Sequence, residues 1–176
     1  NVKHGALAFG TDPHQVESIT RSIRKITPKP LIIKLTPNVT DITSIAKAAE
    51  NGGADAVSCI NTLVGMVIDT KQKKPVLPGN TGGLSGPAIR PVGVAMAWKT
   101  ARAVAIPVIG IGGIAGFDDA LQYFLAGASA IQIGTGMFID PQTPAKILHD
   151  LETFCSEEAI HSIPEITRLC GRNRSM

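Results

Sequence analysis

Four short apolar segments recur along the chain, and each is followed by turn residues and then by a helical pattern. They cover residues 30–35, 54–60, 107–111 and 128–133. The segments are nearly continuous in Ile, Val, Leu and Ala, as expected for strands of a buried parallel sheet. Short strands separated by helical patterns also predict crossover connections, and these again favour a parallel sheet.

The intervening segments show the period of amphipathic helices. Asp12 and Asp41 are candidate N-caps of the first two helices, and Gly52-Gly53 is the predicted end of the second. The predicted apolar faces consist of Val16, Ile19, Ile23 and Ile26 in the first helix and of Ile42, Ile45, Ala46 and Ala49 in the second. Further helices are predicted over about residues 91–104, 118–127 and 143–154, with a short turn near residues 162–165.

The first two strand–helix units are echoed by the last two. Gly53-Ala54-Asp55-Ala56-Val57 matches Gly127-Ala128-Ser129-Ala130-Ile131, and the residues around the other two strands match at a nearly equal offset. A repeated βαβα module builds a TIM (β/α)8 barrel, which needs roughly 250 residues when complete. The chain has 176 residues, so about four βα units, or half of such a barrel, are predicted as a single partial domain over residues 1–176. The structural alternative is a doubly wound sheet, although the G-x-G-x-x-G turn of that fold does not occur in the sequence.

The connection over residues 63–89 is much longer than the two to six residues that usually join a strand to its helix. It contains five glycines. Long structured loops at the carboxyl ends of parallel strands tend to carry function, because these folds place their sites there. We therefore expect this loop to border the site.

Composition and charge narrow the class of protein. A hydrophobic content of 44% with 18% charged residues excludes a disordered chain, and the scattered basic residues behind the net charge of +3 argue against nucleic-acid binding. The lysines of residues 71–74 are expected to lie in a solvated loop. An apolar run of the roughly 18 residues that a membrane span needs does not occur, so no membrane partner is expected. The sequence starts at Asn1 rather than at Met, which favours a fragment.

Cysteines and histidines give no sign of a metal site. Cys59, Cys155 and Cys170 are widely spaced without a C-x-x-C pair, which fits neither zinc nor a disulfide framework and favours a reducing cytoplasm. Cys59 is expected to belong to the core. The histidines are predicted to lie at the surface; they are His4, His14, His149 and His161.

Glycines at the ends of the last two strands are candidate phosphate ligands. Gly112-Gly113 and Gly134-Thr135-Gly136 each stand directly before a helix, where bare backbone N–H groups can bind a phosphate. Barrels commonly hold phosphate on the loops after their last two strands. Tight-turn glycines are the alternative explanation.

Polar residues at the ends of the first two strands are candidate ring ligands. Lys34 is a cation inside an apolar strand. If its ammonium is buried, it needs an anionic or strongly accepting partner. The alternative is a lysine at the strand edge whose ammonium reaches solvent. Asn61 and Thr62 offer an amide and a hydroxyl that suit a small polar substrate, with strand-end capping as the alternative.

A set of motifs extends over nearly the whole chain up to about residue 148. The motifs are Asn1-Val2-Lys3, Phe9-Gly10-Thr11-Asp12-Pro13, Lys34-Leu35-Thr36-Pro37-Asn38-Val39-Thr40-Asp41-Ile42, Ile60-Asn61-Thr62-Leu63, Gly82-Gly83-Leu84-Ser85-Gly86-Pro87-Ala88-Ile89, Gly110-Ile111-Gly112-Gly113-Ile114, Gly127-Ala128 and Ile133-Gly134-Thr135. In combination they resemble the dihydroorotate dehydrogenases, most closely the class 1B catalytic subunit. The resemblance implies the C-terminal half of a flavin-binding TIM barrel from a cytoplasmic enzyme of pyrimidine (UMP) biosynthesis.

The resemblance also implies ligands, position by position. The residues expected to contact FMN are Lys34, Ile60, Gly86, Gly112, Gly113, Gly134 and Thr135. Lys34 would support the electron-rich flavin ring, whereas the last four residues would hold the phosphate. The residues expected to bind dihydroorotate are Asn61 and Thr62, with Asn1 on the opposite side.

The implied reaction is the oxidation of dihydroorotate to orotate, in which a base takes a proton from C5 while hydride passes from C6 to the flavin. In the class 1 enzymes the base is a cysteine in a Ser-Cys-Pro-Asn motif. Asn1 matches the last residue of that motif, so the cysteine is expected two positions before Asn1 and the chain is expected to contain no catalytic residue. Without its general base, the fragment is expected to be nearly inactive.

Class 1B membership further implies a partner subunit that carries FAD and an iron–sulfur cluster and passes electrons to NAD, in a homodimer or heterotetramer. Two other functions stay open. One is the pyrimidine-reducing domain of dihydropyrimidine dehydrogenase, which shares the Lys34–Ile42 motif. The other is a non-catalytic βα scaffold that binds a phosphate ligand.

Overall fold

The structure is a computed structural model and describes residues 9–170. Eight strands occur within these residues. They are β1 (Ile32–Leu35), β2 (Ala56–Cys59), β3 (Leu63–Gly65), β4 (Ile68–Asp69), β5 (Lys74–Pro75), β6 (Gly82–Leu84), β7 (Val108–Ile111) and β8 (Ala130–Gln132). The four predicted strands are confirmed as β1, β2, β7 and β8, each slightly shorter than its apolar segment.

These four strands form one parallel sheet with the order β1-β2-β7-β8. The order follows the chain without a reversal. A doubly wound sheet changes direction at a switch point, whereas consecutive units of a barrel lie side by side. The architecture is thus α/β with a parallel sheet in sequential order.

The α-helices that lie wholly within the described residues are α1 (Pro13–Ile26), α2 (Ile42–Asn51), α3 (Arg90–Ala101), α4 (Phe117–Ala126), α5 (Gly136–Ile139), α6 (Thr143–Glu157) and α7 (Ile163–Leu169), and a 3-10 helix covers Pro87–Ile89. Both predicted N-caps are confirmed, because Asp12 accepts from the His14 amide over 2.9 Å and Asp41 from the Thr43 amide over 3.0 Å. The short turn predicted near residues 162–165 is wrong in extent, since those residues begin the seven-residue α7. The short helix α5 was not predicted.

The predicted apolar face of α1 is wrong in part. Ile19 is 42% and Ile26 83% exposed, whereas Val16 and the polar Thr20 are buried. Thr20 can be buried because its hydroxyl donates to the Val16 carbonyl over 2.7 Å. A side chain on Gly52 at the end of α2 would collide with Thr20 and with the Glu17 carbonyl, so the two helices lie in close contact at this glycine. The predicted inward face of α2, in contrast, is confirmed by the burial of Ile42, Ile45, Ala46 and Ala49.

The core lies between the sheet and its helices. Leu35, Val57, Cys59 and Val108 are at most 2% exposed and point to the helix side. On the opposite face, Ile32, Lys34, Ala130 and Gln132 of the two outer strands are exposed, whereas Ala56 and Ser58 of the central β2 are buried. The described helices therefore cover one face of the sheet.

The long connection after β2 folds into two antiparallel ribbons. Leu63 pairs with Leu84 in the β3–β6 ribbon, and Ile68 pairs with Pro75 in the β4–β5 ribbon. These strands of two or three residues were not predicted. Residues 9–170 contain no helix that is both long and apolar enough to cross a membrane.

Candidate functional site

A cavity of about 200 Å³ opens at the carboxyl ends of the four parallel strands. Its walls include nine of the ten residues that were predicted to bind cofactor or substrate. These nine are Lys34, Ile60, Asn61, Thr62, Gly86, Gly112, Gly113, Gly134 and Thr135. The tenth, Asn1, lies outside the described residues.

Lys34 stands near the carboxyl end of β1 on the uncovered face of the sheet. It pairs in register with Ser58 of β2, while the next residue, Leu35, points into the core. The premise that its ammonium is buried is wrong in this structure, because Lys34 is exposed. Its position at the cavity, rather than its burial, makes it a candidate ligand for an electron-rich group.

Backbone hydrogen bonds extend the sheet beyond β2 and fix the next residues at the cavity. The amide of Ile60 donates to the Ile111 carbonyl over 2.9 Å, and the amide of Asn61 donates to the Leu35 carbonyl over 2.7 Å. These two hydrogen bonds place Asn61 and the following Thr62 directly after β2, between the ends of β1 and β7. Their amide and hydroxyl groups suit a small polar ligand.

Asn38 ties the loop after β1 to the loop after β2. Its Nδ2 donates to the Thr62 carbonyl over 3.1 Å, and its Oδ1 accepts from the Val64 amide over 2.9 Å. Asn38 was not predicted as a site residue. The Thr-Pro-Asn turn was visible in the sequence, but its partners lie 24 and 26 residues away.

The turn between β7 and α4 has no room for a side chain at Gly113. This residue has φ +69°, and a Cβ atom would lie 2.6 Å from the Gly86 carbonyl oxygen and 2.9 Å from Arg90 Cβ. The glycine therefore lets the turn lie directly against the loop that contains Gly86, so that both backbones face the same cavity.

Side chains of α4 hold both ends of this turn. The Ala115 amide donates to Asp119 Oδ2 over 2.9 Å, and the other carboxylate oxygen of Asp119 pairs with Arg90. At the start of the turn, the Tyr123 hydroxyl donates to the Gly112 carbonyl over 2.8 Å. Burial raises the pKa of Tyr123 well above its usual range.

The loop after β8 closes the cavity on the neighbouring side. Around Gly134 there is open space, since no atom lies within 4 Å of a Cβ placed there. A Cβ on Gly136 would lie 2.9 Å from the Ile114 carbonyl oxygen. The glycine loops after β7 and β8 are therefore direct neighbours.

The remaining cavity residues were missed by sequence reasoning. They are Ser85, Pro87, Ile89, Ile111, Ile114, Ala115, Gln132 and Ile139, whereas Gly136, which also lines the cavity, was already a candidate phosphate ligand. Strand alternation could have found Ile111 and Gln132, because these two pair in register and share the face of Lys34. The position of residues 85–89 at the cavity could not be predicted, because it depends on how the long connection folds back.

Cys59 is part of the core, as predicted. It is 0% exposed, burial raises the pKa of its thiol to about 11, and its sulfur lies 3.4 Å from the Thr100 hydroxyl. His14, His149 and His161 are exposed as predicted, while His4 lies outside the described residues. Within residues 9–170 there is no group of three or more His, Cys, Asp or Glu residues that could hold a metal ion.

Comparison with known proteins gives a consistent result. The family model for dihydroorotate dehydrogenase matches residues 1–155. The chain is 53% identical over 172 residues to the dihydroorotate dehydrogenase B (NAD(+)) catalytic subunit of Carboxydothermus hydrogenoformans, which covers 98% of this chain and 56% of that protein. It is 50% identical over 166 residues to the protein of the same name from Parabacteroides distasonis, covering 94% of this chain and 54% of that protein. The chain thus spans about half the length of the curated relatives it matches.

Proposed function

Since this chain belongs to the dihydroorotate dehydrogenase family, we propose that it is the C-terminal half of an FMN-dependent enzyme that oxidises dihydroorotate to orotate in pyrimidine biosynthesis. The observation that carries the proposal is the cavity at the strand ends whose walls bring together Lys34, Asn61, Thr62 and two glycine turns. Such convergence at the carboxyl ends of parallel strands is where α/β folds bind their ligands.

The proposed fold of the full-length protein is a closed (β/α)8 barrel. Residues 1–176 would be a single partial domain that supplies four of its strands, and sequence beyond this chain would supply the others. The sequential strand order and the uncovered sheet face with Ile32 and Lys34 support this proposal. In a closed barrel this face would become the interior and would no longer be exposed.

The glycine turns fit the phosphate end of FMN. Gly113 has no room for a side chain, and the space around Gly134 is open, so backbone N–H groups can approach an anion closely. Gly112, Gly113, Gly134 and Thr135 would therefore hold the phosphate. Ile60, Gly86 and Lys34 would contact the flavin ring, with Lys34 adding a positive charge beside it.

The chain's own part in the reaction would be binding and orientation. FMN, when bound, supplies the acceptor for a hydride. Asn61 and Thr62 would hold the substrate ring, and Asn1 would reach it from the other side. Lys34 would stabilise negative charge that builds beside it during the transfer.

The proton at C5 would be taken by a cysteine outside this sequence. Cys59 cannot serve as that base, because it is buried on the helix side of β2 and its thiol has a pKa of about 11. The chain alone would therefore bind ligands at most, with nearly no activity.

The relatives are named as catalytic subunits of NAD(+) enzymes, which favours a separate electron-transfer subunit. We propose that this partner carries FAD and an iron–sulfur cluster, that the assembly is a homodimer or a heterotetramer, and that it acts in the cytoplasm.

The test is to purify the full-length protein and to identify its flavin and its substrate. We expect one FMN per polypeptide and reduction of the flavin by dihydroorotate but not by dihydrouracil. Reduction by dihydrouracil would instead support the dihydropyrimidine dehydrogenase-like function. A protein without flavin would contradict both enzymatic functions and would support a phosphate-binding scaffold.

A further inference from the structure

Tyr123 is a buried side chain of α4 whose single polar atom reaches the glycine turn. Its exposure is 0%, and its hydroxyl donates to the Gly112 carbonyl over 2.8 Å. The mechanism proposed above makes no use of this residue, and the cavity walls do not include it.

Three glycines leave space for the Tyr123 side chain: one in a helix, one in a strand and one in the turn after that strand. A Cβ atom on Gly93 of α3 would overlap the Tyr123 hydroxyl, and one on Gly110 of β7 would overlap its ring. A Cβ on Gly112 would lie 3.3 Å from the hydroxyl oxygen. Helix, strand and turn thus all leave room for this ring, and its hydroxyl is held in one place.

The direction of this hydrogen bond sets the orientation of a peptide group. In a trans peptide the carbonyl of one residue and the N–H of the next point in opposite directions. The hydroxyl holds the Gly112 carbonyl towards the helix layer, so the Gly113 N–H is turned the opposite way. Gly113 itself lies in the cavity wall.

We propose that Tyr123 is a positioning residue that aims the Gly113 N–H at the phosphate group of the bound ligand. The inference rests on the proposed function, because it takes the ligand to be FMN. Asp119 assists from the same helix by holding the Ala115 amide at the far end of the turn.

The test compares FMN with riboflavin, which has the same ring but no phosphate. Tyr123→Phe in the full-length protein removes one oxygen and keeps the ring in its seat. We expect the affinity for FMN to fall roughly 3- to 10-fold, as for the loss of one hydrogen bond, and that for riboflavin to change less than about twofold. Fluorescence titration measures both dissociation constants without any turnover.

Thr167→Val is the matched control. The Thr167 hydroxyl donates to the Phe124 carbonyl of α4 over 2.9 Å. Like Tyr123→Phe, this variant removes one hydroxyl-to-carbonyl hydrogen bond that involves α4, but neither residue lines the cavity. We expect it to lower thermal stability about as much as Tyr123→Phe and to leave both flavin affinities unchanged.

Gly93→Ala is a second variant in case Tyr123→Phe does not fold. It keeps the tyrosine but pushes its hydroxyl away from Gly112, and it is expected to show the same phosphate-specific loss. Equal losses for FMN and riboflavin, or no loss for FMN, would overturn the inference while leaving the proposed function intact. A wild-type protein that binds both flavins equally would overturn the phosphate assignment itself, and the inference with it.

Discussion

The side-chain amide of Asn38 donates to the Thr62 carbonyl over 3.1 Å and so joins the loops that follow β1 and β2. The same side chain accepts from the Val64 amide over 2.9 Å. Asn38 thereby fixes the backbone of Thr62, a residue that lines the cavity. The geometry of the proposed substrate site depends on a residue that does not itself line it.

We expect Asn38→Ala to weaken substrate binding more than flavin binding. The Thr62 carbonyl and the Val64 amide would lose their partners, which costs about 1–3 kcal/mol of unfolding free energy. The KM for dihydroorotate should rise several-fold in the full-length protein while the affinity for FMN stays near that of the wild type. Asn51→Ala at the exposed end of α2 is the control and should change neither quantity. An unchanged KM in Asn38→Ala would contradict this role.

Gly113→Ala tests the close approach of the two loops. The new Cβ would meet the Gly86 carbonyl, and φ +69° is unfavourable for alanine by about 1–2 kcal/mol before any collision is counted. We expect a lower melting temperature and at least about a tenfold loss of FMN affinity. Gly116→Ala is the control, because Gly116 lies three residues along the same turn with extended backbone and no atom within 4 Å of its Cβ. It should keep the FMN affinity of the wild type and lose only the small stability of a changed N-cap. Equal behaviour of the two variants would refute the argument.

Asp55 makes the free energy of unfolding depend on pH, and its contacts determine the direction of that dependence. Its carboxylate accepts from the Leu31 amide over 2.6 Å and pairs with Arg24 over 2.7 Å, and these two interactions, the amide first, lower the pKa of Asp55. A carboxyl with a lowered folded pKa stabilises the protein above the unfolded pKa of about 4 and loses that effect as the pH falls further.

Asp55→Asn should therefore melt at a lower temperature than the wild type at pH 7, with a difference that shrinks below about pH 4. Thermal unfolding followed by circular dichroism at both pH values measures this. Asp150→Asn, on the exposed side of α6, is the control and should track the wild type at both. A difference between Asp55→Asn and the wild type that grows on acidification would show the sign to be wrong.

Cys59 should resist alkylation in the folded protein. It is 0% exposed and its thiol has a pKa of about 11, so only about one molecule in a thousand carries the thiolate at pH 8 even before access is considered. We expect iodoacetamide to label Cys59 at least about 100-fold more slowly than the exposed Cys170. Peptide mass spectrometry resolves the two sites, and both should react alike in denaturant. Comparable rates in the native protein would place Cys59 outside the core.

Strand positions and most helix boundaries could be predicted because they depend on local patterns. Apolar runs, N-cap aspartates and terminal glycines all act within a few residues of the chain. The error on α1 had a different origin. Thr20 is buried because its hydroxyl finds a partner in its own helix, and a search for apolar residues alone selects Ile19 and Ile26 instead.

Most of the candidate site could be placed from the sequence, since parallel strands bring their carboxyl ends to one edge. Contacts between residues far apart in the sequence could not be predicted. The ribbons β3–β6 and β4–β5, the link from Asn38 to Thr62 and the bond from Tyr123 to Gly112 join residues whose proximity no local pattern encodes. The sequence left the burial of Lys34 open between a buried ammonium and a strand-edge lysine that reaches solvent, because burial depends on what covers the sheet; the structure has it exposed.

The most direct test of the central claim is a crystal structure of the full-length protein with FMN. We expect the phosphate to lie within about 3 Å of the backbone nitrogens of Gly113 and Thr135, and Lys34 to contact the flavin ring at the other end of the cavity. A flavin bound elsewhere, or a phosphate held away from both glycine turns, would contradict the claim.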